Sequence, residues 1–188
     1  MGKYVLVFKG SPRENGNSSL LADQVISGAK ASGAVVESYC LHSMNIHPCD
    51  ACDVCQETGV CVLKDDMQLL YLKLQEADAI VLASPVYWFN MSAQTKLFID
   101  RWYGLDSSQG HPFKGKKFGI LMTYGDSDPY SSGAINAINT FKDILSYVGA
   151  EIAGIIYGTA MDIGDIKKQP GLMLRAYQLG EKLGGELS

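Results

Sequence analysis

Four of the five cysteines fall within thirteen positions, as Cys49, Cys52, Cys55 and Cys61. Thiolates two residues apart can converge on one centre from a single tight loop. Cys-x2-Cys-x2-Cys with a fourth cysteine further along is the run that bacterial-type ferredoxins use around a [4Fe–4S] cluster. Structural zinc ordinarily takes two separated pairs of ligands, and one Cys-x-x-Cys pair can work as a metal-free redox disulfide. The spacing puts iron–sulfur first and leaves zinc and metal-free thiols as alternatives. An odd count, clustered this way, is not a disulfide scaffold. Cys40, which ends an earlier apolar run, is expected to be a buried core thiol. Asp50, Asp53 and Glu57 are read as keeping the cysteine loop wet.

A second constellation runs from Gly10 to Ser19, between an apolar run and a helical pattern. A helix N-terminus offers unpaired N–H groups and partial positive charge, which suits an anion. Ser11, Ser18 and Ser19 add hydroxyls, Asn17 an amide and Arg13 a cation, a set that suits phosphate. The loop has neither the Gly-Lys-Ser/Thr ending of a Walker A loop nor a Gly-x-Gly-x-x-Gly turn. A plain turn with Asn17 or Ser18 as helix N-cap is the bland alternative. A third constellation is Ser84, Pro85, Val86, Tyr87, Trp88 and Phe89. Three consecutive aromatics cannot all face a core, so they form either a wall for a flat ligand or a protein interface. Thr123, Tyr124 and Gly125 follow another apolar run and face the same crevice. A phosphate cradle and an aromatic wall together describe a ligand with a phosphate tail and a flat ring, and flavin mononucleotide (FMN) fits. His42, His47 and His111 are isolated, so no acid–base catalyst is expected and the flavin carries the chemistry.

The elements that position these groups alternate. Strands are expected at Tyr4–Lys9, Ala34–Leu41, Ala79–Ala83, Lys117–Thr123 and Glu151–Tyr157. Helices are expected at Ser18–Ala31, Asp65–Gln75, Ala93–Tyr103, Gly133–Val148 and Leu172–Leu183. Continuous apolar strands separated by helices imply a parallel sheet covered on both faces. Five βα units are too few for an eight-fold barrel. An open α/β doubly wound five-stranded parallel sheet remains, with ligands at the carboxyl ends of its strands; the flavodoxin-like order of such a sheet places FMN at the switch point beside the first strand. The chain reads as one domain over 1–188, with a cysteine-rich insertion at 46–64.

Composition sets outer bounds. The chain has 188 residues, 47% hydrophobic and 19% charged, with a net charge of −4. This is ordinary globular composition. Lys114, Lys116 and Lys117 form the only compact basic cluster, so nucleic acid is a poor partner. No apolar run reaches membrane-spanning length, and the start of the chain lacks signal-peptide character, so a cytoplasmic protein is expected. The aromatic loop and Phe98–Leu105 carry large apolar groups expected to reach a subunit interface.

Gly10 to Ser18 (GSPRENGNS), Ile46-His47-Pro48-Cys49-x2-Cys52-x2-Cys55 with Cys61 and Asp65-Asp66-Met67, and Ser84-Pro85-Val86-Tyr87-Trp88 occur in this order. Together they resemble the NADPH-dependent FMN reductase family in its iron–sulfur flavoprotein branch, over essentially the whole chain. The resemblance implies tightly bound FMN, a [4Fe–4S] cluster on Cys49, Cys52, Cys55 and Cys61, NAD(P)H as co-substrate or a ferredoxin-type electron donor, and a homodimer or homotetramer. It assigns Ser11, Arg13, Asn17, Ser18 and Ser19 to the FMN phosphate, and Pro85 to Phe89 with Thr123 to Gly125 to the isoalloxazine. Many members carry glycine just before the second cysteine, where this chain has Ala51; the methyl matters if that residue needs a positive φ. The function implied is an FMN-dependent oxidoreductase. A pure electron carrier and a zinc-stabilised binding module are the alternatives.

Overall fold

The computed structural model describes residues 2–108 and 110–185. Five parallel strands form the sheet: β1 (Tyr4–Lys9), β2 (Val35–Cys40), β3 (Ala79–Tyr87), β5 (Lys117–Tyr124) and β6 (Glu151–Thr159), in the order β2-β1-β3-β5-β6. A short strand, β4 (Asn90–Met91), folds back antiparallel on the end of β3. The helices are α1 (Asn17–Ala31), α2 (Val54–Thr58), α3 (Met67–Glu76), α4 (Ala93–Asp100), α5 (Ala134–Tyr147) and α6 (Pro170–Gly184). The chain leaves β1 toward β2 on one side and toward β3 on the other, so the strand order reverses between β1 and β3. Ligands of open α/β sheets bind at that switch point.

Alternation along the strands divides the core in two. Val5, Val7 and Val81 join Leu21, Val25 and Leu179 of α1 and α6 on one face. Leu6, Phe8 and Ile80 join Leu70, Phe98 and Phe141 of α3, α4 and α5 on the other. Both faces are dry, which is why the strands read as unbroken apolar runs. Among the described residues no helix is long and apolar enough to cross a membrane.

Four expectations need correction. β3 does not stop at Ala83: its ladder with β5 continues to Pro85↔Thr123, and the chain then turns into β4. The helix at Ala93 ends at Asp100 and tightens into a 3-10 turn over Arg101–Leu105. That change of twist sends Phe98, Ile99, Trp102 and Leu105 inward, all buried, so Tyr103 is the one large apolar group of the expected Phe98–Leu105 patch that stays exposed. Cys40 is exposed rather than buried, because β2 is the edge strand and carries no fully buried residue. The N-cap of α1 is Gly16, without a side-chain cap bond, rather than Asn17 or Ser18.

Candidate functional site

The loop from β1 to α1 gathers hydrogen-bond donors at a helix N-terminus, a chemistry that suits an anion. Gly10 lies so close to its neighbours that a Cβ there would sit 1.9 Å from Thr95 Oγ1. Ser92 Oγ donates to the Gly10 carbonyl at 2.7 Å and holds the loop from behind. Ser11 Oγ accepts from the Arg13 N–H at 3.1 Å. The first-turn N–H groups of α1, from Asn17, Ser18 and Ser19, have no acceptor within the helix. Ser18 Oγ is buried without a hydrogen-bond partner. A buried hydroxyl left unpaired costs about 1–3 kcal/mol, and a bound phosphate would supply its partner. Arg13 stands exposed at the mouth. These residues fit the phosphate of a flavin nucleotide.

Asn17 does something the sequence did not suggest. Its amide donates to the carbonyls of Asp162 at 2.8 Å and Ala160 at 3.4 Å. Its Oδ1 accepts from the N–H groups of Gly164 at 3.0 Å and Ile166 at 3.2 Å. The side chain is therefore spent on fastening the loop after β6, and only the Asn17 backbone N–H is left for an anion. Ser84 is likewise spent internally: it is fully buried, donating to the Pro85 carbonyl and accepting from Ser92 N–H.

At the carboxyl ends of β3 and β5 lies a cleft of about 510 Å³ walled by Val86, Trp88, Phe89, Tyr124, Gly125 and Met161. Its size suits a small ligand. Trp88 and Phe89 form the two-residue tip of the β3–β4 hairpin, with φ of 47° and 66°. Both central residues in the left-handed region make a type I′ turn, which ordinarily wants asparagine and glycine. Phe89 presses on Gly133 at the start of α5. Trp88 is 93% exposed and Tyr87 37%. Pro85 is half-buried, and Thr123 and Tyr124 are buried; burial pushes the Tyr124 hydroxyl up. The loop from Asp126 onward was read as offering groups to this crevice, but Ser131, Ser132 and Met161 were missed in sequence. Asp128 stiffens that loop by accepting from Ser131 Oγ and from the N–H groups of Ser131 and Tyr130, which hold its carboxyl at about 2.

The four cysteines line a second, separate cavity, together with Tyr71, Arg101, Tyr103 and Gly104. Cys55 is buried, Cys61 half-buried, and Cys49 and Cys52 are exposed. The loop converges because its backbone reverses hand twice: Ala51 has φ of 55° and Asp53 of 56°. The position flagged by the alanine-for-glycine difference therefore does require a positive φ. A Cβ on Gly104 would meet Tyr71 Oη at 3.0 Å and Cys61 Cβ at 3.6 Å, so glycine keeps the wall thin. Asp53 is more than a solvated side chain: it accepts from the Tyr103 hydroxyl at 3.1 Å. Gln68 Nε2 pins the carbonyls of Cys61 and Leu63.

Electrostatics separate the thiols. Burial alone would raise Cys61, but the Leu63 N–H, the Tyr71 hydroxyl and the Arg101 guanidinium outweigh it and hold the thiol below its ordinary value. At Cys52 the Val54 N–H favours the thiolate, yet the Asp50 carboxyl wins and pushes the thiol up. Among the described residues, no three His, Cys, Asp or Glu side chains are close enough to share one metal ion. Zinc draws its thiolates to about 2.3 Å, whereas a cubane holds its four ligands apart at separate corners. Four thiols line one cavity, and thiolates are the donors that a [4Fe–4S] cluster takes. Arg101 and Asp65 were missed as site residues. The signal was there: a charged residue inside the apolar run FIDRWYGL has to find a buried partner.

Residues 4–157 match the family described as NADPH-dependent FMN reductase. The chain belongs to that family. It is similar to an iron–sulfur flavoprotein of Archaeoglobus fulgidus, with 37% identity over 93% of this chain and 76% of that one. An iron–sulfur flavoprotein of Methanocaldococcus jannaschii is 38% identical over 52% of this chain and 50% of its own length. In fold, the chain is similar to an NAD(P)H:quinone oxidoreductase from Methanothermobacter marburgensis, with a TM-score of 0.80 at 20% identity over 97% of this chain and 100% of that one. Family membership makes this an FMN-dependent NAD(P)H oxidoreductase, with the flavodoxin-like topology read from the strand order.

Proposed function

We propose that this flavoenzyme passes electrons between reduced nicotinamide and an acceptor through FMN and a [4Fe–4S] cluster held by Cys49, Cys52, Cys55 and Cys61. The observation that carries the cluster is the convergence of all four cysteines on one cavity, distinct from the aromatic cleft. Two similar proteins carry the name iron–sulfur flavoprotein, which supports the same reading. When bound, FMN accepts hydride and releases electrons one at a time, and the cluster exchanges single electrons.

The chain supplies binding and orientation. Ser11, Ser18, Ser19, the Asn17 backbone and Arg13 hold the phosphate. Trp88, Phe89 and Val86 flank one side of the ring cleft, and Tyr124 and Gly125 another. The buried Tyr124 hydroxyl stays protonated at neutral pH and can only donate or accept a hydrogen bond there. The exposed Tyr87, Trp88 and Phe89 would be covered in a homodimer or homotetramer, which could also bring a flavin edge near a neighbour's cysteines.

The test is NAD(P)H oxidation by FMN-loaded protein with a soluble acceptor, run with wild type and Cys55→Ser. Steady turnover in wild type, with flavin retained and iron lost in C55S, supports the reading. A ferredoxin-type donor that reduces the protein while NAD(P)H does not would favour an electron carrier instead.

A further inference from the structure

Arg101 is the arginine that lines the cysteine cavity, and its side chain is only 1% exposed. Its partner Asp65 is fully buried at the side chain. A guanidinium brings five N–H donors, all of which need acceptors once water is gone. Nη1 donates to the His47 carbonyl at 2.8 Å and to Asp65 Oδ2. Nη2 donates to Asp65 Oδ1 at 3.3 Å and to Cys61 Sγ at 3.3 Å. The acceptors lie before and after the cysteine run, so one residue clamps both ends of the insertion. Asp65 is fixed in turn by the N–H groups of His47 at 2.9 Å and Met67 at 3.1 Å. Tyr71 completes the support by donating to the Arg101 carbonyl at 3.1 Å. The result is a charged donor aimed at one ligand sulfur from an orientation that cannot relax.

Stability alone does not account for this arrangement. A buried ion pair is often no better than apolar residues of the same volume. A charged N–H at a ligand sulfur has a different consequence: an electron added to the cluster spreads negative charge onto that sulfur, and hydrogen bonds to cluster sulfurs set potential.

We propose that Arg101 is a positioning residue of the cysteine centre, which holds Cys61 in place and raises the reduction potential of a cluster bound there. The inference rests on the cluster reading above. The step concerned is the gain of one electron, drawn from reduced nicotinamide through FMN, with no bond formed or broken in the protein. Lysine keeps the charge but lacks the fork, so it cannot serve Asp65 and Cys61 together.

The test uses full-length protein carrying FMN, prepared without oxygen. Redox titration follows the cluster by low-temperature electron paramagnetic resonance and the flavin by absorbance, in wild type, Arg101→Lys and Arg101→Gln. At a fixed potential the ratio of reduced to oxidised cluster is expected to fall at least tenfold in both variants, a shift of about 59 mV for one electron. The flavin potential should stay unchanged. Loaded variants whose cluster potential matches wild type would overturn the proposal while leaving the cluster reading intact. Wild type without iron would overturn both. If the variants fail to load, wild type with its arginine guanidinium nitrogens labelled with nitrogen-15 decides. A nitrogen coupling to the reduced cluster in pulsed resonance supports the Arg101–Cys61 bond, and its absence contradicts it.

Discussion

Replacing Trp88 with asparagine isolates the strain at the tip of the aromatic hairpin. Trp88 sits at φ 47° and is 93% exposed. An L-residue in the left-handed region costs roughly 1–2 kcal/mol, and asparagine relieves much of that through its local hydrogen bonding. Almost no apolar area is lost, because the indole covers almost nothing. The balance is a gain of about 1 kcal/mol, or about 2–4 °C in Tm for a chain of this size. Phe89→Asn should gain less, since Phe89 also packs on Gly133. Thermal unfolding of FMN-free protein measures both. FMN affinity, read by fluorescence, and turnover with NAD(P)H should fall in W88N, because the indole walls the cleft. A drop in Tm for FMN-free W88N would refute the reasoning: it would mean the indole is packed, or the turn unstrained. Strain kept at an exposed aromatic is the signature of a residue held for a ligand or a partner rather than for the fold.

Asn17→Ala should destabilise the chain by about 2–4 kcal/mol, because it breaks the bonds to Asp162, Gly164 and Ile166 and strands backbone groups; chemical denaturation with and without FMN would show the loss and a weaker flavin affinity. Ser18→Ala should leave FMN-free stability equal or slightly higher, since its hydroxyl has no partner, yet weaken FMN about tenfold, about the worth of one hydrogen bond to a charged group; isothermal titration measures it. Glu37 is held at about 2, chiefly by Lys73 and then by the Tyr39 hydroxyl, against an ordinary 4.5. A carboxyl depressed on folding stabilises above its unfolded value and stops doing so as pH falls from 4.5 toward 2. The pair is partly exposed, with side chains 24% and 38% accessible, so salt will weaken it. Glu37→Gln should therefore lower Tm at pH 7 and leave it unchanged near pH 2.

The inner strands β1, β3 and β5 were legible because their residues are apolar on both faces, and β1 spans Tyr4–Lys9 in the structure as in the sequence. Loops were legible where residue type implies chemistry: the serines beside α1, the clustered cysteines, the aromatic run. What sequence could not reveal is which of those side chains the fold consumes. Asn17 and Ser84 have the chemistry of ligand contacts, yet Asn17 is taken by a loop far away in sequence, and Ser84 by Pro85 and Ser92 close by. Cys40 looked like core because it ends an apolar strand, and only the strand order shows that strand to be an edge. Arg101 and Asp65 meet 36 positions apart. Neither local periodicity nor motif spacing carries that pairing. Ala51 is the opposite case, where one methyl in place of a hydrogen marked a backbone of unusual hand.

The most direct test of the account is a count of flavin, iron, acid-labile sulfide and zinc in protein purified without oxygen, with its absorbance spectrum. The account requires one FMN with about four irons and about four sulfides per chain, and loss of the iron alone in C55S. Flavin with zinc, or flavin with four free thiols and no iron, would contradict it.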